Sequence, residues 1–498
     1  MAPTLVGALW LAVLAATLAP LLAADLPPGA DILNHVARGH VLARLTGDAD
    51  LQRFYTSDWS VIPNMANDLL MLGLLKLMTP YQAGRVIVGL AIVTLFAGVA
   101  LLRHQVTGRV GLLPLATALF AYNAAIAIGL VNFTLGAGLA VLGVAAWLAT
   151  GRWAWPARLL AAGVIAVGLF FVHLMALGAY GLILGLMRLD AFRRDPRLEP
   201  ADMALVGQFL VPVVLWFQVP APSHGTLTTF GGAWSRLDAV ASPVMFFNDF
   251  DLAAAAVLLI LLVWGLARRY LVLAPVLVAP VIGLALVSLA MPAELFGIWL
   301  THVRFPLLAA LLVLAGLEVR LDDRRLTILL TVTLALVGGL RLDKVHDRMQ
   351  RCDSQGRAFM QALDVVPRGA RLLPVIEPAA ETGDCLFSGY WHMPSLAVIE
   401  RSVFFPLMFV HLQPLDIRQP YRHLIQEKAR PATPMMLAGQ ADPMVEAAWN
   451  AAIVDKWRRE FDVVAWLHPG VAASPPPEGL RRIGGGDFFT LYEVRANP

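Results

Sequence analysis

The sequence has little charge for its length. Only 15% of its 498 residues are Asp, Glu, Lys or Arg, whereas a soluble globular chain carries about 25%. Hydrophobic residues make up 58%, and the mean hydropathy is +0.68. Repeated apolar runs of about 20 residues are typical of membrane-spanning helices. The composition therefore excludes an ordinary soluble protein and predicts a polytopic α-helical membrane protein.

A basic surface for nucleic acid is missing as well. The net charge is only +3, and the arginines fall at the ends of apolar runs rather than in a patch with interleaved aromatic residues. We therefore expect the lipid bilayer, and no nucleic acid, among the partners.

Cysteine is almost absent. Cys352 and Cys385 are the two cysteines, and both follow the last apolar run. If that region lies outside the cytoplasm, a disulfide between them would close a loop of about 30 residues and contribute roughly 3 kcal/mol. Two free thiols are the alternative, since sequence cannot show that the residues meet.

Basic residues are also missing before the first apolar run, residues 4–24. A secretory signal begins with positive charge and has a shorter apolar region, so we expect a retained helix. Further apolar runs bring the prediction to about eleven spanning helices. They cover 84–102, 110–129, 131–150, 157–172, 173–188, 203–219, 251–270, 272–291, 299–317 and 325–341. The short polar run 64–79 is predicted to lie at the interface or to re-enter.

Arginine clusters set the predicted topology. They occupy the connections 103–109, 152–158, 188–197, 268–269 and 320–325. All five are cytoplasmic if the run 157–188 crosses twice and turns near His173, and the positive-inside rule favours that arrangement. It places the N-terminus inside and the C-terminal region outside.

Two domains are predicted. Residues 1–341 form the transmembrane domain, with a first outer loop at 25–83. Residues 342–498 carry more charge, Pro and Gly, and predict an extracytoplasmic α/β domain. Its strand-like runs lie at 370–378, 394–405, 461–469 and 488–495.

The first outer loop concentrates ionisable groups. Asp31, His35 and Arg38 are spaced i, i+4 and i+7, so on a helix they share one face. Asp31 then suits a general base or metal ligand, with His35 and Arg38 tuning it or binding an anion. The alternative is that Asp31 caps the helix and the other two form a solvated face.

The rest of that loop offers further candidates for binding substrate. Asp58 beside Trp59 suits a sugar, because an aromatic face stacks on the ring while a carboxylate accepts hydroxyl protons. Asp68 enters an apolar run, where an ionisable group is costly and often functional; a polar cap at the interface is the alternative. Asp48 and Asp50 form an Asp-x-Asp string that can hold a divalent cation, although Gly-Asp also marks turns.

Three residues farther along the chain are further candidates for binding substrate. His173 lies in the middle of an apolar run, and an imidazole in a membrane bundle is unusual. His302 and Arg304 stand at the start of a predicted spanning helix, where Arg can bind a lipid phosphate. A satisfied core histidine and a snorkelling arginine are the alternatives.

The order of these features resembles a family. One helix precedes a loop with an early Asp31 in an amphipathic helix, followed by PNMANDLLMLGLLKLM, the Arg-led GRVIVGLAIV, many further helices and an outer C-terminal domain. This architecture is similar to that of the GT-C class of multi-spanning, polyprenyl-phosphate-sugar-dependent glycosyltransferases, especially bacterial members with no assigned substrate. The acidic pair often found in the first loop is absent, because Ile32 and Leu33 follow Asp31.

The resemblance implies a bacterial inner-membrane transferase that moves a sugar from a polyprenyl-phosphate carrier to a glycan or lipid acceptor on the outer face. Asp31 would be catalytic, or hold a metal that is, while cationic side chains bind the carrier phosphate. A transporter or a non-enzymatic protein of envelope-polysaccharide assembly is the alternative. A transporter, however, should show polar residues at mid-membrane depth and related halves.

Overall fold

A computed structural model describes residues 3–219, 228–247, 250–295, 298–321, 323–378, 385, 389–410, 413–425, 430–445 and 447–495. The chain is mainly helical. The helices are α1 (Pro3–Ala23), α2 (Ile32–Arg44), α3 (Ala49–Phe54), α4 (Ala66–Leu74), α5 (Pro80–Thr107), α6 (Ala118–Ala121), α7 (Ala124–Ile128), α8 (Val131–Ala149), α9 (Trp155–Val172), α10 (Leu174–Arg194), α11 (Pro200–Gly207), α12 (Leu210–Trp216), α13 (Ala233–Ala241), α14 (Asp251–Ala267), α15 (Pro275–Ala290), α16 (Phe305–Gly316), α17 (Arg324–Ala362), α18 (Gly389–His392), α19 (Leu396–Arg401), α20 (Pro434–Leu437), α21 (Ala447–Ile453) and α22 (Trp457–Glu460).

The strands are short. They are β1 (Tyr55–Ser57), β2 (Leu271–Leu273), β3 (Glu294–Leu295), β4 (Ile298–Trp299), β5 (Leu317–Val319), β6 (Leu372–Ile376), β7 (Leu415–Ile417), β8 (Val463–Leu467), β9 (Leu480–Gly485) and β10 (Phe489–Val494).

The apolar helices confirm a polytopic membrane protein. Among the described residues, six helices are long and apolar enough to cross a membrane: α1, α5, α8, α9, α10 and α17. Shorter apolar helical segments cover Leu113–Ile128, Pro200–Trp216, Asp251–Ala267, Pro275–Ala290 and Phe305–Gly316. Each predicted apolar run thus contains helix, but not every run is one continuous spanning helix.

Local chemistry explains the interrupted runs. In the run 110–129, the Asn123 side chain accepts hydrogen bonds from the backbone N–H groups of Ala125 and Ile126, so α7 begins there as a separate helix. In the run 203–219, Pro212 has no N–H to donate to the Gln208 carbonyl, and the chain divides into α11 and α12.

The predicted turn at His173 is present. α9 ends at Val172, α10 begins at Leu174, and His173 between them has an extended backbone with φ −167°. Its Nδ1 accepts a hydrogen bond from the backbone N–H of Met175, 3.1 Å away. The imidazole therefore caps α10, and the run 157–188 forms two helices.

The chain divides into two compact units. Unit 1 comprises Met1–Leu22, Val61–Ala66 and Val88–His346, and unit 2 comprises Ala23–Ser60, Asn67–Ile87 and Asp347–Pro498. The division into domains at residue 342 stays a prediction.

Unit 1 has a helical core. Buried side chains of α5, α8, α9, α10, α15 and α16 form one apolar cluster. Small residues let α5 and α8 approach closely, because a Cβ added to Gly138 would lie 2.5 Å from Thr94 Oγ1. Such contacts hold apolar helices together where lipid is as apolar as the side chains.

Unit 2 contains a four-stranded sheet in the order β6-β8-β10-β9. β6 is parallel to β8, with Leu372 paired to Val463, and the other neighbours are antiparallel. Every residue of β6 and β8 is buried, as expected for strands covered on both faces. The strand predicted at 394–405 is wrong, because residues 396–401 form helix α19.

The first loop and the C-terminal segment pair directly within unit 2. β1 and β7 are antiparallel, with Tyr55 opposite Ile417. Helix α2 packs against α19.

Cys352 and Cys385 are joined by a disulfide. The alternative of two free thiols is therefore wrong.

Candidate functional site

The Asp31 carboxylate does not cap α2, the helix that follows it. Asp31 has helical backbone angles. The structure describes every residue of α2, and the Asp31 side chain makes no capping hydrogen bond to any of them. Its Oδ1 lies 3.3 Å from Nε2 of His392, which is 3% exposed. The Asp31 side chain is 24% exposed, so its carboxylate contacts His392 and is also accessible to solvent.

Asn34 completes what we call the Asp31 cluster, made of Asp31, Asn34 and His392. Its Nδ2 lies 3.0 Å from His392 Nδ1 and donates to the Leu407 carbonyl at 2.6 Å. Its Oδ1 accepts from the Phe409 backbone N–H at 3.0 Å. Asp31, just before α2, and Asn34, in its first turn, therefore both contact His392 at the end of α18.

His35 and Arg38 lie on the same helix but in different surroundings. Burial, then the positive charge of Arg38 and then His392, lowers the pKa of His35 well below its ordinary value. Arg38 is fully buried, and it forms a bidentate ion pair with Asp68 of α4. The alternative that Arg38 belongs to a solvated face is therefore wrong, and substrate binding by His35, Arg38 and Asp68 stays a prediction.

Asp48 serves local structure. Its Oδ1 accepts hydrogen bonds from the backbone N–H groups of Asp50 and Leu51 and so caps α3. Its Oδ2 accepts from Ser402 and Arg368. The two residues of the Asp-x-Asp string thus lie at the start of a short helix. This agrees with the alternative that Gly-Asp marks a turn.

Asp58 and Trp59 follow β1 at the surface of unit 2. Both side chains are exposed, Trp59 to 46%. The Asp58 backbone N–H donates to the Pro414 carbonyl at 2.8 Å, which fixes the loop. An exposed indole beside a carboxylate is compatible with stacking on a sugar, and that role stays a prediction.

Unit 1 brings two predicted residues together. Arg304 Nη1 lies 3.0 Å from His173 Nε2, and both side chains are buried. Phe133 lies beside them, with its ring centroid 5.4 Å from the His173 ring and 5.7 Å from the Arg304 guanidinium carbon. We call these three residues the Arg304 cluster.

Backbone carbonyls hold Arg304 in place just before α16. Its Nη2 donates to the Trp299 carbonyl at 3.0 Å and its Nε to the Leu300 carbonyl at 3.3 Å. His302 is 3% exposed, and its carbonyl accepts from Ser288. Sequence reasoning found His173, His302 and Arg304 but could not show that the first and last are in contact.

Metal binding has no further support from geometry. Among the described residues, no three His, Cys, Asp or Glu side chains are grouped so that they could hold an ion. A possible divalent cation stays a prediction.

Comparison with known proteins decides the fold. The chain is similar to the crystal structure of ArnT from Cupriavidus metallidurans bound to undecaprenyl phosphate, with a TM-score of 0.56 and 12% sequence identity. The likeness covers 99% of this chain and 98% of that one. The chain has an ArnT-like GT-C fold.

That fold is the one implied by the resemblance to the GT-C class, which rests on the order of features along the chain. The apo-state structure of the same ArnT gives a TM-score of 0.49 at 13% identity, over 98% of this chain and 97% of that one. No protein-family model and no curated protein matches the sequence. The GT-C likeness is therefore structural.

Sequence reasoning missed His392 and Asn34. They are 358 residues apart along the chain, and no periodicity or spacing connects residues so distant. His392 could have been found only by knowing that the C-terminal segment packs on α2.

Proposed function

We propose that this protein is a membrane glycosyltransferase that moves a sugar from a polyprenyl-phosphate carrier to an acceptor at the outer face of the bacterial inner membrane. The observation that carries the proposal is the GT-C likeness, which extends over 99% of the chain to an ArnT structure that holds undecaprenyl phosphate.

Asp31 is the proposed general base. Its carboxylate is partly exposed and has a buried polar partner, His392. In the proposed reaction the acceptor hydroxyl gives its proton to Asp31, and the acceptor oxygen bonds to the anomeric carbon of the sugar. The bond from that carbon to the phosphate oxygen breaks, and the carrier phosphate leaves with the electron pair. A positioned base contributes about 10²–10⁴-fold to such a step.

The Arg304 cluster is proposed to bind the carrier phosphate. A neutral imidazole has one N–H and one acceptor nitrogen. His173 Nδ1 accepts from Met175 N–H, so Nε2 carries the proton and faces Arg304 Nη1, also a donor. A phosphate oxygen would accept from both, and fixed charge is most effective where negative charge develops.

The disulfide supports placing unit 2 on the outer side. Disulfides persist in oxidising compartments such as the periplasm and are rare in the cytosol. The arginine clusters at the ends of the apolar helices favour the same orientation by the positive-inside rule.

The test is sugar transfer by the purified protein in lipid vesicles supplied with polyprenyl-phosphate-linked sugars. Asp31→Asn is expected to lower kcat by about 10²–10⁴-fold. Arg304→Gln is expected to lower it by about 10²–10³-fold, the loss seen when one charge-stabilising donor is removed.

Matched controls exist in each unit. Asp364, 91% exposed in unit 2, and Arg197, 84% exposed in unit 1, can be changed in the same way without loss of transfer. If both Asp31→Asn and Arg304→Gln leave transfer intact in folded protein, the proposal is wrong.

A further inference from the structure

Asn34 has only one amide orientation that satisfies its neighbours. The Phe409 backbone N–H can only donate, and it lies 3.0 Å from Asn34 Oδ1. The Leu407 carbonyl can only accept, and it lies 2.6 Å from Nδ2. Rotating the amide by 180° would set donor against donor and acceptor against acceptor, and Asn34 is fully buried, where such a mismatch costs about 1–3 kcal/mol.

This orientation fixes the tautomer of His392. Asn34 Nδ2 is a donor, and it lies 3.0 Å from His392 Nδ1. Nδ1 must therefore accept and carry no proton, and the ring proton of the neutral imidazole is on Nε2. Nε2 is the atom that faces Asp31 Oδ1, 3.3 Å away.

The ring has little freedom to turn away. His392 is 3% exposed, and Phe409 packs against it with ring centroids 5.0 Å apart at 62°. The backbone of Phe409 also holds Asn34, so one residue restrains both members of the cluster.

We propose that His392 is a positioning residue for Asp31, acting through an Nε2–H donated to the carboxylate. This rests on the proposed function, in which Asp31 is the general base. The donated hydrogen bond fixes the rotamer of the carboxylate. Since Asp31 stays 24% exposed, it can still receive a proton from an acceptor. His392 Nδ1 faces the Asn34 amide donor, so the ring acts on Asp31 through Nε2.

Two substitutions separate the donor from the ring. His392→Gln keeps an N–H at about the place of Nε2, whereas His392→Phe keeps the ring volume and removes the donor. We expect His392→Phe to lower kcat of sugar transfer by about 10–100-fold, as loss of an orienting partner does at other sites. KM should change by less than about threefold, and His392→Gln should retain kcat within about threefold.

His423, 53% exposed in unit 2, provides the matched control, and His423→Gln should transfer sugar as the unchanged protein does. Equal losses of kcat in folded His392→Gln and His392→Phe, or a change in KM alone, would overturn the positioning role.

A spectroscopic measurement is independent of activity. Histidine labelled with ¹⁵N in the whole protein gives ring signals that distinguish the tautomers, and His392→Gln identifies the signals to follow. We expect Nε2 protonated and Nδ1 unprotonated at neutral pH; a protonated Nδ1 would overturn the inference. If the tautomer is as expected but the unchanged protein transfers no sugar, the proposed function fails while the hydrogen-bonded arrangement stands.

Discussion

Arg38 and Asp68 form a buried bidentate ion pair that joins α2 to α4 within unit 2. Arg38 Nε lies 2.7 Å from Asp68 Oδ1, and Nη2 lies 3.0 Å from Oδ2. The side chains are 0% and 1% exposed. A pair so deeply buried has a large desolvation cost, which the attraction between its two charges and their hydrogen bonds must offset.

Removing one member should therefore destabilise unit 2 strongly. Asp68→Ala leaves the Arg38 guanidinium buried without its counter-charge, which costs about 3–5 kcal/mol. The measurement is the free energy of unfolding of the detergent-solubilised protein, followed by tryptophan fluorescence.

The double variant Arg38→Met, Asp68→Leu should recover most of that loss, since an apolar pair of similar volume is often neutral. Glu493→Ala provides a control at the exposed pair with Arg481, where the cost should be at most about 1 kcal/mol. Full stability of Asp68→Ala would contradict the assignment of a structural pair.

Local patterns in the sequence predicted several helices of the membrane region correctly. The run predicted at 131–150 is α8, Val131–Ala149, and the turn predicted at His173 separates α9 from α10. Both depend on local hydrophobic length and one polar residue. The run 394–405 was misjudged because a short apolar stretch fits a strand or a buried helix equally well.

The candidate site depends on contacts that are not local. β1 pairs with β7, and Asn34 meets His392 across 358 residues of sequence. Charge spacing singled out Asp31, His35 and Arg38, but it could not show that Arg38 pairs with Asp68 and Asp31 with a distant imidazole. The packing of the C-terminal segment on α2 determines the partner of Asp31, whereas the partner of Arg38, Asp68 on α4, belongs to the first loop itself.

The disulfide should contribute to the stability of unit 2. Cys352 and Cys385 are 33 residues apart, and closing a loop of that length lowers the entropy of the unfolded chain by an amount worth about 3–4 kcal/mol. Cys352→Ala with Cys385→Ala should lower the midpoint of thermal unfolding accordingly. A reducing agent should do the same to the unchanged protein and have no further effect on the double variant; a midpoint that neither treatment moves would contradict the expectation.

His40 should make unit 2 less stable in acid. Burial, and then the positive charge of Arg44, lowers the pKa of His40 to about 4. Asp48 opposes this shift, and Arg368 adds to it. The unfolded chain, with a histidine pKa of about 6.5, binds a proton first as the pH falls. The stability that comes from keeping His40 neutral is therefore fully present above about pH 6.5. It is lost progressively down to about pH 4, by about 3 kcal/mol.

The measurement compares the free energy of unfolding between pH 7.5 and pH 4.5 in the unchanged protein and in His40→Gln. Other groups titrate in the same range, so the difference between the two slopes isolates His40. The variant should lose less stability in acid; equal slopes would show that His40 titrates alike in the folded and unfolded chain.

The orientation of the chain in the membrane can be tested with single added cysteines. Arg194 lies at the end of α10, in one of the arginine clusters that the positive-inside rule assigns to the cytoplasm. Asp364 is 91% exposed in unit 2, which we place outside. The two native cysteines are joined in a disulfide and do not react with maleimide.

An impermeant maleimide added to intact spheroplasts should label Asp364→Cys and leave Arg194→Cys unlabelled until the membrane is opened. Because the two sites are both exposed, a difference in labelling reports the side of the membrane rather than burial. Labelling of Arg194→Cys in intact spheroplasts would reverse the orientation, and it would place the Asp31 cluster on the cytoplasmic side, where an acceptor at the outer face could not reach it.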